Sequence, residues 1–193
     1  MFQQLTKDEA RARIATLTEN FERQLPDYQS GKYNETQTRI DFIDPFFQAL
    51  GWDMHNGRGA AEAYREVLHE DKVKVGTATK SPDYSFRLPG GQRLFFVEAK
   101  KPSVKIKHDI VPAYQVRRYG WSAKLAISLL TDFEELAVYD CTIQPASTDK
   151  ADKARIKYLT FREYLTEFDY LWDTFSKESV LYGKLDKYST LLF

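Results

Sequence analysis

The stretch SPDYSFRLPGGQRLFFVEAKKP, Ser81–Pro102, predicts two β-strands joined by a tight turn. Aromatic residues dominate DYSFRL and RLFFVEAK, and PGGQ between them has the composition of a hairpin turn. If the turn is centred on Gly90–Gly91, Asp83 lies opposite Glu98. Opposed side chains point to one face with Cβ atoms roughly 5 Å apart, and Lys100, two residues beyond Glu98, shares that face. The sequence therefore predicts two carboxylates and an ammonium group together at one sheet edge.

This cluster of charges has two interpretations. Opposed carboxylates repel each other and destabilise a sheet, so either Lys100 neutralises the pair or Asp83 lies at a solvated strand end. The alternative is a divalent metal, because one or two carboxylates, several waters and a substrate phosphate form the shell that Mg²⁺ prefers. Such a metal stabilises charge on a phosphoryl group and acidifies water, and Lys100 would then position the attacking water. The residues alone leave both interpretations open.

Composition limits the class of protein. A chain of 193 residues fits one domain, or one domain plus a connector, and 42% hydrophobic residues can form a sizeable core. Lys+Arg and Asp+Glu both number 28, so binding to nucleic acid or a membrane would need a local charged patch. The single cysteine, Cys141, cannot form an intrachain disulfide, and no apolar run approaches the ~18 residues of a membrane span. We therefore expect a cytoplasmic protein that does not bind membranes.

A helix is predicted over residues 34–51, ahead of the hairpin. Asn34 is a favourable N-cap and Gly51 is placed as a C-terminal glycine. Pro45 should kink this helix or split it into two. Apolar residues at helical spacing predict the following core-facing set: Ile40, Ile43, Phe47 and Leu50.

The remaining elements complete an α/β pattern. An opening helix is expected from Thr6, which has capping-box spacing to Glu9, to Pro26. AYREVLHE reads as a strand and KVKVGTATKS as a mobile loop. After the hairpin come a helix in KHDIVPAYQVRRYGW, strands in KLAISLL and ELAVYDC, and an amphipathic helix in FREYLTEFDYLWDTF. This order predicts a mixed central β-sheet with helices on both faces.

The hairpin residues resemble a nuclease signature. Pro82–Asp83 followed by Glu98–Ala99–Lys100 is similar to the PD-(D/E)xK motif. NETQTRIDFIDPFFQALGW resembles the helix that opens the nuclease fold in type I restriction subunits and their fused relatives, with Glu35 at the family's additional acidic position. YQVRRYG places Gln115 and Tyr119 in the Q-xxx-Y element of type I-like and RecB-like nucleases.

The resemblance continues towards the C-terminus. FDYLWDTFSKESVLYGKLDKY is similar to the segment that leaves the N-terminal endonuclease domain in type IIG enzymes, which fuse a nuclease with a methyltransferase. The match spans most of Tyr33–Tyr188 in the family's order. No helicase motor, methyltransferase motif or target-recognition domain is visible in the chain.

The resemblance implies a restriction-endonuclease-like core and a role for each site residue. Asp83 and Glu98 would bind Mg²⁺, for which Mn²⁺ could substitute, and the backbone carbonyl of Ala99 would be a further ligand. Lys100 would orient the attacking water. Glu35 would reach the metal directly or through water.

DNA contacts are expected from the following helix and nearby basic residues. Gln115 and Tyr119 face the same way and would contact the DNA backbone or organise the site; the alternative is an ordinary surface pair or a core-edge tyrosine. A local basic surface suffices for phosphate contacts, although a solvated charged face is the simpler explanation. The basic residues around the site are Lys100, Lys101, Lys105, Lys107, Arg117, Arg118 and Lys124.

The expected protein is a Mg²⁺-dependent DNA endonuclease domain of a restriction-modification enzyme, over residues 1–174. Residues 175–193 would connect it to a downstream methyltransferase or motor and a target-recognition domain; the alternative is that this apolar tail folds back on its own domain. Nothing in the chain resembles a base-reading module, and two copies would be needed to cut both strands of double-stranded DNA. The alternatives are a repair or recombination nuclease of the same superfamily and a nuclease-fold module that binds DNA without cutting.

Overall fold

The central hairpin forms with the predicted register. In the computed structural model, which describes residues 2–183, β4 (Tyr84–Arg87) and β5 (Arg93–Ala99) pair antiparallel. Tyr84 pairs with Val97, so one further step in the same register brings Asp83 opposite Glu98. The register shifts only near the turn, between Phe86 and Arg87.

Six strands form one mixed sheet in the order β1-β4-β5-β6-β7-β8. The other four strands are β1 (Val67–His69), β6 (Ile127–Thr131), β7 (Glu135–Asp140) and β8 (Arg155–Thr160). β5 and β6 are parallel, and α5 (Ile110–Ser122) connects them; every other neighbouring pair is antiparallel. The predicted α/β class with a mixed central sheet is confirmed, and it is the arrangement of a restriction-endonuclease-like core.

Helices cover both faces of the sheet. Besides α5 they are α1 (Lys7–Arg23), α2 (Leu25–Gln29), α3 (Glu35–Thr38), a π-helix (Arg39–Ile43), α4 (Asp44–Ala49), α6 (Phe168–Phe175), α7 (Lys177–Leu181) and 3₁₀ turns at Glu62–Tyr64 and Phe161–Glu163. The larger core joins α1, α4 and α6 to alternate residues of β5, including Val97 and Ala99. Phe96 instead packs with Tyr119 of α5. Because side chains alternate along a strand, Glu98 lies with Phe96 on the α5 side.

The second helix is continuous but contains a π-helical turn just before Pro45. The missing N–H of proline leaves one helical hydrogen bond unmade, and the wider turn accommodates this gap. A π turn inserts one extra residue into the helix, which rotates the face that it presents. Ile40 is consequently 61% exposed, so its predicted core position is wrong. The other three apolar residues of the set, Ile43, Phe47 and Leu50, are buried as predicted.

Three strands were not expected from the sequence. The predicted loop KVKVGTATKS contains a hairpin of β2 (Val73–Val75) and β3 (Ala78–Lys80), which packs on α5 through Val73 and Val75. The third, β8, is one of the two edge strands of the sheet, and most of its residues are only partly buried. The long helix predicted over FREYLTEFDYLWDTF is shorter and begins at Phe168 after a 3₁₀ turn. The opening helix is confirmed: Thr6 caps its start by accepting from the Glu9 N–H at 3.2 Å.

The described part of the predicted connector packs against the domain. Phe175 and Val180 are buried in the larger core. The Trp52 indole N–H donates to the Phe175 carbonyl at 2.7 Å, and the Lys177 N–H donates to the Leu50 carbonyl at 2.9 Å. The rest of the connector, residues 184–193, lies outside the described residues. Within residues 2–183, no helix is both long enough and apolar enough to cross a membrane.

Candidate active site

Asp83 and Glu98 meet where β4 begins and β5 ends. The Asp83 N–H donates to Glu98 Oε1 at 3.2 Å. In the other direction, the Ala99 N–H donates to Asp83 Oδ2 at 2.8 Å. These two hydrogen bonds fix both carboxylates at the sheet edge, because each involves a backbone group of the opposite strand.

Glu98 is costly to ionise in this position. Its side chain is almost fully buried, and burial, followed by the Asp83 charge, raises the Glu98 pKa to about 8, with Lys100 acting in the opposite direction. Among the described residues, no Lys, Arg or His forms an ion pair with Glu98. A buried carboxylate next to a second one needs a positive partner when it is ionised.

Lys100 and Glu35 lie beside the carboxylate pair. The backbone N–H of Lys100 donates to the Thr131 carbonyl at 3.0 Å, which extends the β5–β6 pairing. Glu35 is half-buried at the start of α3, and its pKa is raised mainly by burial and also by Asp83, while Lys100 lowers it. The structure thus brings Glu35 and Lys100 within electrostatic range of Asp83 and Glu98. Among residues 2–183, Lys100 forms no ion pair with any of these three carboxylates.

The donor set at this edge fits a hard divalent cation. Residues 2–183 contain no group of three or more His, Cys, Asp or Glu side chains that could hold a metal ion. Mg²⁺, however, binds proteins through one or two carboxylates and keeps several waters. Asp83, Glu98 and the Ala99 carbonyl match this smaller set, and a bound cation would supply the positive partner that the buried Glu98 carboxylate needs when it is ionised. On this chemistry the residues suit Mg²⁺ or Mn²⁺.

The raised pKa of Glu98 makes the metal-free protein less stable at higher pH. The ordinary pKa of glutamate is 4.5, and the pKa of Glu98 in the folded state is raised to about 8. At pH values between these two, Glu98 holds its proton in the folded state and loses it in the unfolded state. The folded state then binds more protons, so stability is full below this window and is lost as pH rises through it. At about 1.4 kcal/mol per pKa unit, the loss amounts to a few kcal/mol.

Chemical denaturation in EDTA across this pH range measures the effect. We expect Glu98→Gln, which stays neutral, to flatten the decline in unfolding free energy. An equal decline in both proteins would mean that Glu98 ionises normally.

Gln115 and Tyr119 lie on the face of the sheet that carries Glu98. The Gln115 side-chain amide donates to the Tyr119 hydroxyl at 3.1 Å, so the two side chains face the same way. The Tyr119 ring is buried against Phe96 and Val73. No hydrogen bond joins this pair to Asp83 or Glu98 within residues 2–183. The tyrosine packs in this cluster, and Gln115 is the member of the pair that remains partly exposed. A role for the pair in contacting DNA or organising the site stays a prediction.

Most, but not all, of the predicted basic residues lie at the surface. Arg117 is an exception, because it is 1% exposed and pairs with Asp149 at 2.7 Å. A guanidinium buried in this way is not part of a basic surface, so its expected DNA contact is corrected. Lys105 is exposed and lies 4.0 Å from Glu134. The others at the surface, wholly or in part, are Lys100, Lys101, Lys107, Arg118 and Lys124.

One residue of the site, Arg39, was missed in the sequence. Its Nη1 lies 3.6 Å from Asp83 Oδ1, and its Nη2 donates to the Asp83 carbonyl at 3.4 Å. The available signal was its spacing of four residues from Glu35, which places both on one helical face. Arg39 also contacts Tyr84 on β4 and His69 on β1. These two residues come from separate strands, so sequence spacing could not group them with Arg39.

Comparison with known proteins relates the chain to a restriction enzyme. It is 46% identical over 175 residues to the type II restriction enzyme and methyltransferase RM.Eco57I of Escherichia coli. The aligned part covers 90% of this chain but 17% of that protein. No family model and no solved structure matches the chain. The chain is thus related to one part of a restriction-modification enzyme.

Proposed function

We propose that the chain is the Mg²⁺-dependent DNA endonuclease domain of a restriction-modification enzyme, built on a PD-(D/E)xK site. The observation that carries the proposal is the Asp83–Glu98 pair, held by reciprocal backbone hydrogen bonds with Lys100 beside it. The relationship to a restriction enzyme supports the same reading. Mn²⁺ is expected to substitute for Mg²⁺.

Each site residue has a role in this proposal. Asp83, Glu98 and the Ala99 carbonyl would hold the cation. When bound, it would stabilise negative charge on the scissile phosphate and acidify a water molecule. Lys100 would orient the attacking water, and Glu35 would contact the cation or one of its waters. Hydrolysis would leave 5′-phosphate and 3′-hydroxyl ends.

Sequence recognition is assigned to other parts of the enzyme. The chain has no net charge, so the local basic residues would contact DNA phosphates, which position a duplex but do not read its sequence. The related protein is both a restriction enzyme and a methyltransferase. By analogy, a methyltransferase or motor and a target-recognition domain elsewhere in the full-length enzyme would select the DNA. One site attacks one strand, so two copies would cooperate in double-strand cleavage.

Plasmid digestion tests this function. The full-length protein and the isolated domain are incubated with the same plasmid in Mg²⁺ and, separately, in EDTA. We expect discrete fragments from the full-length protein, weak cleavage without sequence choice from the domain, and no cleavage in EDTA. Discrete fragments from the isolated domain would show that it carries its own specificity. Failure of both proteins to cut in Mg²⁺ would reject the nuclease function.

A further inference from the structure

Arg39 connects the candidate site to the helix opposite it. It is the first residue of the π-helix, a distortion that occurs frequently at functional sites. Its side chain is mostly buried, with 20% of its surface exposed. The guanidinium reaches the Asp83 carbonyl oxygen at 3.4 Å and the carboxylate at 3.6 Å.

The guanidinium makes shorter contacts with two other side chains, Tyr84 and His69. Arg39 Nε donates to the Tyr84 hydroxyl at 3.1 Å, and the guanidinium lies 4.6 Å from the centre of the Tyr84 ring. The Tyr84 hydroxyl donates in turn to Asp44 at 2.5 Å, so its oxygen is free to accept from Arg39. Both contacts hold the plane of the guanidinium without cancelling its charge.

His69 supplies the second anchor. Its Nε2 lies 2.8 Å from the Met54 carbonyl oxygen, and a carbonyl can only accept, so Nε2 carries the proton and donates. Nδ1 is then an acceptor and lies 3.2 Å from Arg39 Nη2. Arg39 is therefore held from strands β1 and β4, and its orientation does not depend on the longer contacts to Asp83.

Asp83 is held on both of its carboxylate oxygens as a result. Oδ2 accepts from the Ala99 N–H at 2.8 Å, and Oδ1 faces Arg39. Because these two contacts are made to different oxygens, they restrict rotation of the carboxylate about the last side-chain bond. The restriction keeps the carboxylate beside Glu98.

We propose that Arg39 is a positioning residue that fixes the Asp83 carboxylate beside Glu98, so that the two carboxylates are arranged in advance for a divalent cation. This inference rests on the proposed function. A positive charge alone would repel a cation, so the benefit of Arg39 lies in the geometry of its planar, multidentate head. Lysine keeps the charge but cannot reproduce that geometry.

Calorimetric titration of the full-length protein with Mn²⁺ separates geometry from charge. We expect Arg39→Lys to weaken binding roughly 10- to 100-fold, as for other residues that orient metal ligands. Tyr84→Phe keeps the ring and the arginine but removes one anchor, and should weaken binding roughly fivefold, the equivalent of one net hydrogen bond. The double variant should bind no more weakly than Arg39→Lys, because Tyr84 acts through Arg39. Thermal unfolding verifies that each variant folds.

The matched control is Arg11→Lys, an exposed arginine on α1, which should bind Mn²⁺ like the wild type. Wild-type affinity in Arg39→Lys, or additive losses in the double variant, would overturn the positioning role while leaving the proposed function intact. Absence of binding by the wild type would reject the metal site itself, and the positioning role with it.

Discussion

Replacing either Asp83 or Glu98 by alanine is expected to weaken Mg²⁺ or Mn²⁺ binding by roughly 100-fold or more. The small donor set at this edge consists of these two carboxylates and one carbonyl, so each change removes a large part of the charge that a hard cation requires. Isothermal titration calorimetry on the metal-free protein measures the loss. Asp83→Asn and Glu98→Gln, which preserve side-chain volume, should show the same direction.

The control for this prediction is Glu19→Ala, which removes an exposed carboxylate on α1 and should leave binding unchanged. Equal affinities for the wild type and for both site variants would remove the metal assignment. In that case the alternative interpretation, in which Lys100 neutralises the two carboxylates, would stand.

Loss of Lys100 should reduce DNA cleavage roughly 10²- to 10⁴-fold, the usual range for a group that assists proton transfer in the transition state. The variant that tests this is Lys100→Ala, assayed in the full-length enzyme at saturating Mg²⁺. The protein should still fold and bind DNA, because the structural contact of Lys100 is made by its backbone N–H, to Thr131 at 3.0 Å. Single-turnover cleavage and DNA binding are measured on the same preparations.

Lys100→Met distinguishes the two roles that the sequence left open. Methionine keeps the length of the side chain but not its charge or its donors. If Lys100 only offsets the carboxylates, this variant should cleave normally once metal is saturating; if Lys100 orients water, cleavage should remain low. Lys101→Ala is the matched control, because it removes the same charge one residue away and should change DNA affinity modestly without reducing the rate of the chemical step.

The hairpin could be predicted because its turn depends on local features. Gly90 and Gly91 both adopt positive φ, at 96° and 95°, a region in which glycine avoids the penalty of a Cβ. Their position locates the turn, but Arg87 pairs with Arg93 beside it, and the register shift between Phe86 and Arg87 is what aligns Tyr84 with Val97 and Asp83 with Glu98. The same local logic gave Asn34 as a helix cap, and its side chain accepts from the Gln37 N–H at 2.8 Å.

The remaining errors arise from tertiary contacts. The π turn that exposes Ile40 depends on how the helix resolves the break at Pro45, which helical spacing alone does not encode. The β2–β3 hairpin is stabilised by burial of Val73 and Val75 against α5. Arg117 looked like a surface cation because its partner, Asp149, is distant in sequence.

Glu35 and Arg39, the two helix residues beside the carboxylate pair, show the same difference between what a sequence pattern indicates and what depends on tertiary contacts. Glu35 was singled out through a family pattern, and it lies close enough to Asp83 for that charge to raise its pKa, in addition to the larger effect of burial. Arg39 was not, because its contacts with Tyr84, His69 and Asp83 join segments that only the folded sheet brings together. Charged residues in a helix have many possible partners, and the sequence does not say which strand end they will meet.

The most direct test of the central claim is an anomalous diffraction map of crystals soaked in Mn²⁺, collected for the wild type and for Asp83→Asn. The account predicts a peak between Asp83 and Glu98, next to the Ala99 carbonyl, that disappears in the variant. A manganese peak elsewhere in the protein, together with none at the hairpin edge, would contradict it.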